Sequence, residues 1–155
     1  MITVYLAASW KERDHAREVR ESMKANGIEV NSRWLDTEGS DEAATDETRG
    51  DEALKDIEDV LSADVFVLLN TQKRGEETSG KAVETGIAIM ATTIEEAKTC
   101  AIIVVGEKTN VFHYLHGAMF NVATPDDAIK LIKEWEALQP PQKGEEQEVV
   151  GGREA

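Results

Sequence analysis

Short apolar runs alternate along this chain with longer stretches whose apolar residues recur at helical spacing. Residues 2–6, within "ITVYLA", read as a buried strand. Residues 10–26 read as a helix that stops at Gly27, a residue suited to the left-handed turn after a helix. A second strand begins at 28–30 and runs into "NSRWL". Residues 36–50, "DTEGSDEAATDETRG", have no apolar periodicity and read either as a flexible, acidic active-site loop or as a solvated loop. A helix over 51–62 follows, with Leu54, Ile57, Val60 and Leu61 as its expected buried stripe. "VFVLLN" at 65–70 is a third strand. Residues 71–79 are a loop, and "GKAVETGIAIMATTIEEAK" is helical. "AIIVVG" at 101–106 is a fourth strand, "NVFHYLH" a helical turn, "MFNV" a last strand, and 125–138 a last helix.

Strands that alternate with helices predict a parallel sheet covered on both faces. The expected fold is a single α/β domain over 1–138. It has a five-stranded parallel sheet in a flavodoxin-like three-layer sandwich. Ligands in such folds bind beyond the carboxyl ends of the strands. Residues 139–155 combine Pro, Gly and charge without periodicity and read as a disordered tail.

Composition narrows the function. A net charge of −14 over 155 residues repels a nucleic-acid backbone, and no block of Lys and Arg offsets it. Nucleic acid is therefore not an expected partner, whereas a small anion held by a few backbone amides is compatible with the charge. The single cysteine, Cys100, excludes an intramolecular disulfide and a cysteine zinc cluster. Its place beside "AIIVV" predicts a buried structural thiol. No apolar run is long enough to span a bilayer, and the chain begins on a strand rather than a leader. A cytoplasmic protein without membrane contact is the expectation.

"RGEETSGKAVETG" at 74–86 carries the first candidate chemistry. Gly75, Gly80 and Lys81 fit the phosphate-loop pattern except at its last position, where Ala82 cannot ligate magnesium. Glu76 and Glu77 within the loop oppose phosphate by like charge. A triphosphate cradle is disfavoured, while the helix start at Ser79 and Gly80 still suits one phosphate.

Glu84 is the only charged residue from Ala82 through Ile94. It is either a first-turn acid favoured by the helix dipole or a catalytic carboxylate beyond a strand end. Asp56 lies at the border of the expected buried stripe of its helix, with Asp59 on the opposite, solvated face. Two inward carboxylates on adjacent helices suit a nucleophile and a general acid. Tyr5, in the first strand, is placed to bond one of them or to pack in the core. Trp34 beside Arg33 is a base-stacking candidate or a rim residue, and Trp10 reads as packing at a helix start. His113 and His116 have helical spacing but no third ligand, and no metal or other cofactor is expected. His15 reads as exposed.

Three motifs together resemble the nucleoside 2-deoxyribosyltransferase superfamily, which includes nucleoside 5'-monophosphate N-glycosidases. They are "VYLAAS" (4–9), "DIEDVLSADVFVLL" (56–69) and "SGKAVETGIA" (79–88). The resemblance runs from about residue 2 to 135. It implies a Glu84 nucleophile, Asp56 as the residue that protonates the departing base or holds the sugar, and Tyr5 as the residue that positions Glu84. The implied substrate is a small deoxynucleoside or deoxynucleotide, cleaved by water or transferred to another base. It implies substrate contacts from Ser9, Lys11, Arg33, Trp34, Thr78, Ser79, Gly80 and Asn110. Thr78 or Ser79 stands where nucleoside-specific members have an aspartate. It also implies a homodimer or larger homo-oligomer in which a neighbour lends residues, with Asn110, His113 and Asn121 as candidates. The alternative is a catalytically idle nucleotide-binding module on the same fold.

Overall fold

The computed structural model describes residues 1–38, 45–71, 79–94 and 97–138. The expected tail at 139–155, Thr78 and residues 39–44 of the acidic loop lie outside the described residues, as does the side chain of Ser79.

Five strands form one sheet: β1 (Thr3–Ala7), β2 (Glu29–Val30), β3 (Val65–Asn70), β4 (Ala101–Gly106) and β5 (Met119–Val122). Their order is β2-β1-β3-β4-β5, and every pairing is parallel. This is the expected flavodoxin-like order. β3 is central and buried along its whole length, which accounts for its unbroken apolar run. The helices are α1 (Arg13–Ala25), α2 (Asp46–Ser62), α3 (Ser79–Thr93) and α4 (Pro125–Leu138).

The pleat sorts side chains to two faces. Leu6, Val67, Ile103 and Phe120 stand in register across four strands. Phe120 packs edge-on against Trp135, which sets α4 on that face. Tyr5, Phe66 and Ile102 occupy the opposite face, in register with one another. The rings of Tyr5 and Phe66 stack at 5.6 Å. α2 and α3 lie side by side over that second face. Right-handed crossovers place α1 opposite them.

Local chemistry fixes the ends of these elements. Gly27, with φ of 75°, ends α1 as expected. The segment at 10–12 is a 3-10 turn, so α1 proper starts at Arg13. α2 starts five residues before its expected position, because Thr45 and Thr48 form a reciprocal cap with Asp46 and Glu47 in the first turn. Gly106 ends β4 at φ 101°, where an added Cβ would stand 2.5 Å from the Asn70 carbonyl oxygen. Only glycine permits that close approach.

Two expectations about burial fail. α2 turns Asp56, Asp59, Val60 and Ala63 toward the protein. Leu54 (61%), Ile57 (38%) and Leu61 (40%) face outward, while Asp59 is only 5% exposed. The expected stripe is thus divided, and Val60 alone of its four residues is buried. The cause is a set of polar partners on the inner side, described below. Cys100 is exposed rather than buried, because it precedes β4 at the amino end of the sheet. Its thiol donates to the Asp64 carbonyl at 3.2 Å.

Candidate active site

Three elements converge between α2, α3 and the sheet. β1 brings Tyr5, α2 brings Asp56, and α3 brings Glu84. The Tyr5 hydroxyl and Asp56 Oδ1 are buried, and neither closes a well-formed hydrogen bond. The hydroxyl nevertheless lies close enough to both carboxyl groups to favour their charged forms. The arrangement is proximity without hydrogen-bond alignment.

Burial dominates the electrostatics of this cluster. It lifts Glu84 to about 7, with further lift from the Asp56 charge and an opposing pull from Tyr5. It lifts Asp56 to about 6, helped by Asp59 and Glu52 and opposed by Tyr5 and Arg33. Tyr5 is pushed well above the ordinary phenol range by burial, then by Glu84 and Asp56. The two carboxyls titrate as a coupled pair that holds one proton near neutrality.

The segment after β2 walls the site. Its 3-10 turn, Arg33–Asp36, is pinned to β1 by two buried bonds. Ser32 Oγ accepts from the Leu6 amide at 2.6 Å, and the Trp34 indole N–H donates to the Leu6 carbonyl at 2.9 Å. Trp34 is therefore buried rather than at the rim. Trp10 is the exposed aromatic here, tilted against Trp34 at 6.4 Å with the Arg13 guanidinium 4.2 Å from its centre. The expected packing role of Trp10 at a helix start fits this contact with Trp34.

The other predicted site residues divide between the two flanks of α3. Ser9 is buried and donates to Glu12 at 3.2 Å, while Lys11 is exposed on the adjoining turn. Arg33 is committed to Asp59 and Glu58. Gly80 is the second residue of α3, and among the described residues nothing stands within 4 Å of where its Cβ would be. Lys81 donates to Asn70 Oδ1 at 3.0 Å. Asn70 in turn donates to Thr109 Oγ1 and the Glu107 carbonyl. Lys81, Asn70 and Thr109 line a cavity of about 340 Å³ with Met90, Phe112 and His113. Tyr5, Asp56 and Glu84 do not line it. Asn110, also on its wall, accepts from the Phe112 amide and caps a 3-10 turn. His113 Nδ1 accepts from the Thr109 amide, and Asn121 donates to the Val104 and Gly106 carbonyls. His15 and His116 are exposed. Among the described residues no group of three or more His, Cys, Asp or Glu is arranged to hold a metal, and no helix is long and apolar enough to cross a membrane.

The fold and this carboxyl pair define a flavodoxin-like α/β protein with ionisable side chains buried above the sheet. Several solved structures share its fold. A conserved protein from Enterococcus faecalis V583 superimposes with a TM-score of 0.61 at 16% identity, over 87% of this chain and 99% of that one. A 2-deoxyribosyltransferase from the psychrotolerant bacterium Bacillus psychrosaccharolyticus gives 0.57 at 18%, over 82% and 90%. A CMP N-glycosidase from Clostridium botulinum gives 0.51 at 13%, over 86% and 98%. No family model matches the sequence, and no curated protein does.

Proposed function

We propose that this protein cleaves or transfers the N-glycosidic bond of a 2'-deoxynucleoside or its 5'-monophosphate, with Glu84 as nucleophile. The observation that carries this reading is the meeting of Tyr5, Asp56 and Glu84 from three separate elements. Two carboxyls with raised proton affinity suit covalent glycosyl chemistry, in which one attacks and one supplies a proton. The matching fold of an N-glycosidase and a deoxyribosyltransferase supports it.

The steps balance on these residues. An oxygen of ionised Glu84 forms a bond to C1' as the bond from C1' to the base nitrogen breaks. The electron pair leaves with the base, and the base takes the proton of Asp56. Asp56, now ionised, accepts a proton from water as the water oxygen attacks C1' and releases Glu84. Attack by the nitrogen of a second base gives transfer instead. The resting pair holds its proton mainly on Glu84, so the reactive form needs that proton on Asp56. Tyr5, close to both, favours the charged form of each.

The exposed apolar side chains of α2, α3 and the 111–114 turn support a second copy as partner. They include Leu54, Val83, Met90, Phe112 and Tyr114.

The test incubates the pure protein with a panel of deoxynucleosides and their 5'-monophosphates, with and without a free acceptor base. Base release alone assigns hydrolysis, and base exchange assigns transfer. Binding without either outcome overturns the enzymatic reading and leaves a nucleotide-binding module.

A further inference from the structure

Asp59 is a buried carboxylate one helical turn beyond Asp56, and it is gripped from outside α2. The Arg33 amide donates to its Oδ2 at 2.9 Å, and Arg33 Nε donates to its Oδ1 at 2.8 Å. The same guanidinium reaches the Lys55 carbonyl at 3.2 Å and Glu58 Oε2 at 2.9 Å. Asn31, two residues earlier, donates to the Asp59 carbonyl at 2.8 Å and to Ser62 Oγ at 2.9 Å. The segment at 31–33 is thereby fastened to α2 from Lys55 to Ser62, on both sides of Asp56.

These contacts explain why α2 shows its acids to the protein and its leucines to solvent. They exceed what holding the helix requires. Either Asp59 oxygen would anchor Arg33, and a neutral acceptor would avoid burying a charge. A carboxylate instead places one negative and one positive charge close behind Asp56.

We propose that the Arg33–Asp59 ion pair is a positioning device for Asp56, fixing its place on α2 and balancing the charge around it. The part Asp56 plays in turnover rests on the proposed function; the charge balance does not. The groups that face Asp56 are Asp59 and Glu52 from α2, Tyr5 from β1, Glu84 from α3, and Arg33 from the segment after β2. Asp59 and Arg33 act on its proton in opposite senses. A staple of the fold alone has no such signature, since breaking it from either side loosens the same contact.

The experiment follows the Asp56 carboxyl carbon by NMR through a pH titration of the full chain, with the signal assigned by its loss in Asp56→Asn. Arg33→Gln removes the balancing cation and is expected to raise the Asp56 midpoint by about 0.5 or more. Asp59→Asn is expected to lower it by a similar amount, and the double variant to return it toward wild type. Arg33→Lys keeps the charge and is expected to leave the midpoint near wild type. Should Asp59→Asn fail to fold, the contrast between Arg33→Gln and Arg33→Lys decides the matter. Shifts of the same sign in both single variants, no shift, or equal shifts in Gln and Lys would overturn the proposal. A wild type that turns over no substrate defeats the proposed function while the titration result stands.

Discussion

Lys81 and Glu84 stand three residues apart on α3, yet they reach different partners. The Lys81 ammonium donates to Asn70 beyond the end of β3, whereas Glu84 faces Tyr5 and Asp56 between the helices. A phosphate-loop lysine projects to the phosphates its own loop cradles. Here that cation is turned into a polar chain with Asn70 and Thr109, against an apolar cavity. This contact gives Lys81 a structural partner at the end of β3, and Glu84 is the group of this stretch that the proposed chemistry uses.

Glu84→Gln is the direct test of that assignment. Glutamine keeps the shape and removes the nucleophile, so turnover is expected to fall by at least about 10³-fold with the fold retained. Mass spectrometry of protein quenched during turnover checks the site of the covalent sugar. Finding the sugar on a peptide without Glu84 would defeat the nucleophile assignment.

Tyr5→Phe separates function from stability. The hydroxyl is buried and closes no well-formed bond, so its removal relieves an unsatisfied group and costs the fold little, within about 1 kcal/mol. It also removes an influence that favours the ionised forms of Glu84 and Asp56. A drop in kcat of about tenfold to a hundredfold is expected, with Tm close to wild type. A large Tm loss with kcat preserved would make Tyr5 a packing residue only.

The layers were legible in the chain because each strand is a short apolar run and each helix repeats at its own period. Order, parallel pairing and the fold class followed from that alternation. Glu84 was legible for a similar reason: a lone charge in "AVETGIAIMA" has few structural explanations. The orientation of α2 was not. Apolar spacing assigns Leu54, Ile57 and Leu61 inward, but the inner side is taken by Asp56 and Asp59, whose partners come from 31–33 and from Tyr5. Those partners lie far off in sequence, and no local pattern records them. Trp34 was misplaced for the same reason, since its indole bond goes to the backbone of β1.

The raised carboxyls give stability a definite pH dependence. Glu84 rises from 4.5 to about 7, and Asp56 from 3.8 to about 6, so the folded state keeps protons that the unfolded chain releases. Their contribution is full below about pH 4 and is lost as pH rises toward 7. For Glu84 the loss is on the order of 3 kcal/mol at most. Glu52 and Glu136 are lowered, so their effect falls below pH 4.5 and does not oppose this trend. Urea midpoints are expected to drop between pH 5 and pH 8 in wild type and to drop less in Glu84→Gln. Identical slopes in the two proteins would contradict the buried pair. The same pair predicts a bell-shaped kcat/KM with limbs near 6 and 7, and Asp56→Asn should abolish the bell.

Assembly is open to an equally simple measurement. α2 exposes Leu54, Ile57 and Leu61, and α3 exposes Val83, Met90 and Ile94. With Phe112, Tyr114 and Leu115 they leave large apolar side chains in solvent that an interface between copies would cover. Sedimentation is expected to show a dimer or larger species that Leu54→Glu or Phe112→Glu dissociates. A monomer with full activity would refute a shared site.

The choice between nucleoside and monophosphate turns on Ser9 and Glu12. Ser9 closes the turn after β1, where a 5' substituent would enter, and its hydroxyl is held by the Glu12 carboxylate at 3.2 Å. A phosphate there must take the Ser9 proton from Glu12 and stand near that negative charge. Lys11, exposed on the same turn, attracts it, and the start of α3 at Ser79 adds amides and a dipole. Charge-assisted bonds contribute about 1.5–3 kcal/mol each, so Lys11 and one amide are enough to offset a single partly screened repulsion. The expected result is preference for the monophosphate in wild type. Glu12→Gln should raise kcat/KM for the monophosphate by about tenfold and leave the nucleoside nearly unchanged, while Lys11→Ala should do the reverse to the monophosphate alone. If wild type uses the nucleoside equally well or better, and Glu12→Gln changes both substrates alike, the turn after β1 does not receive a phosphate.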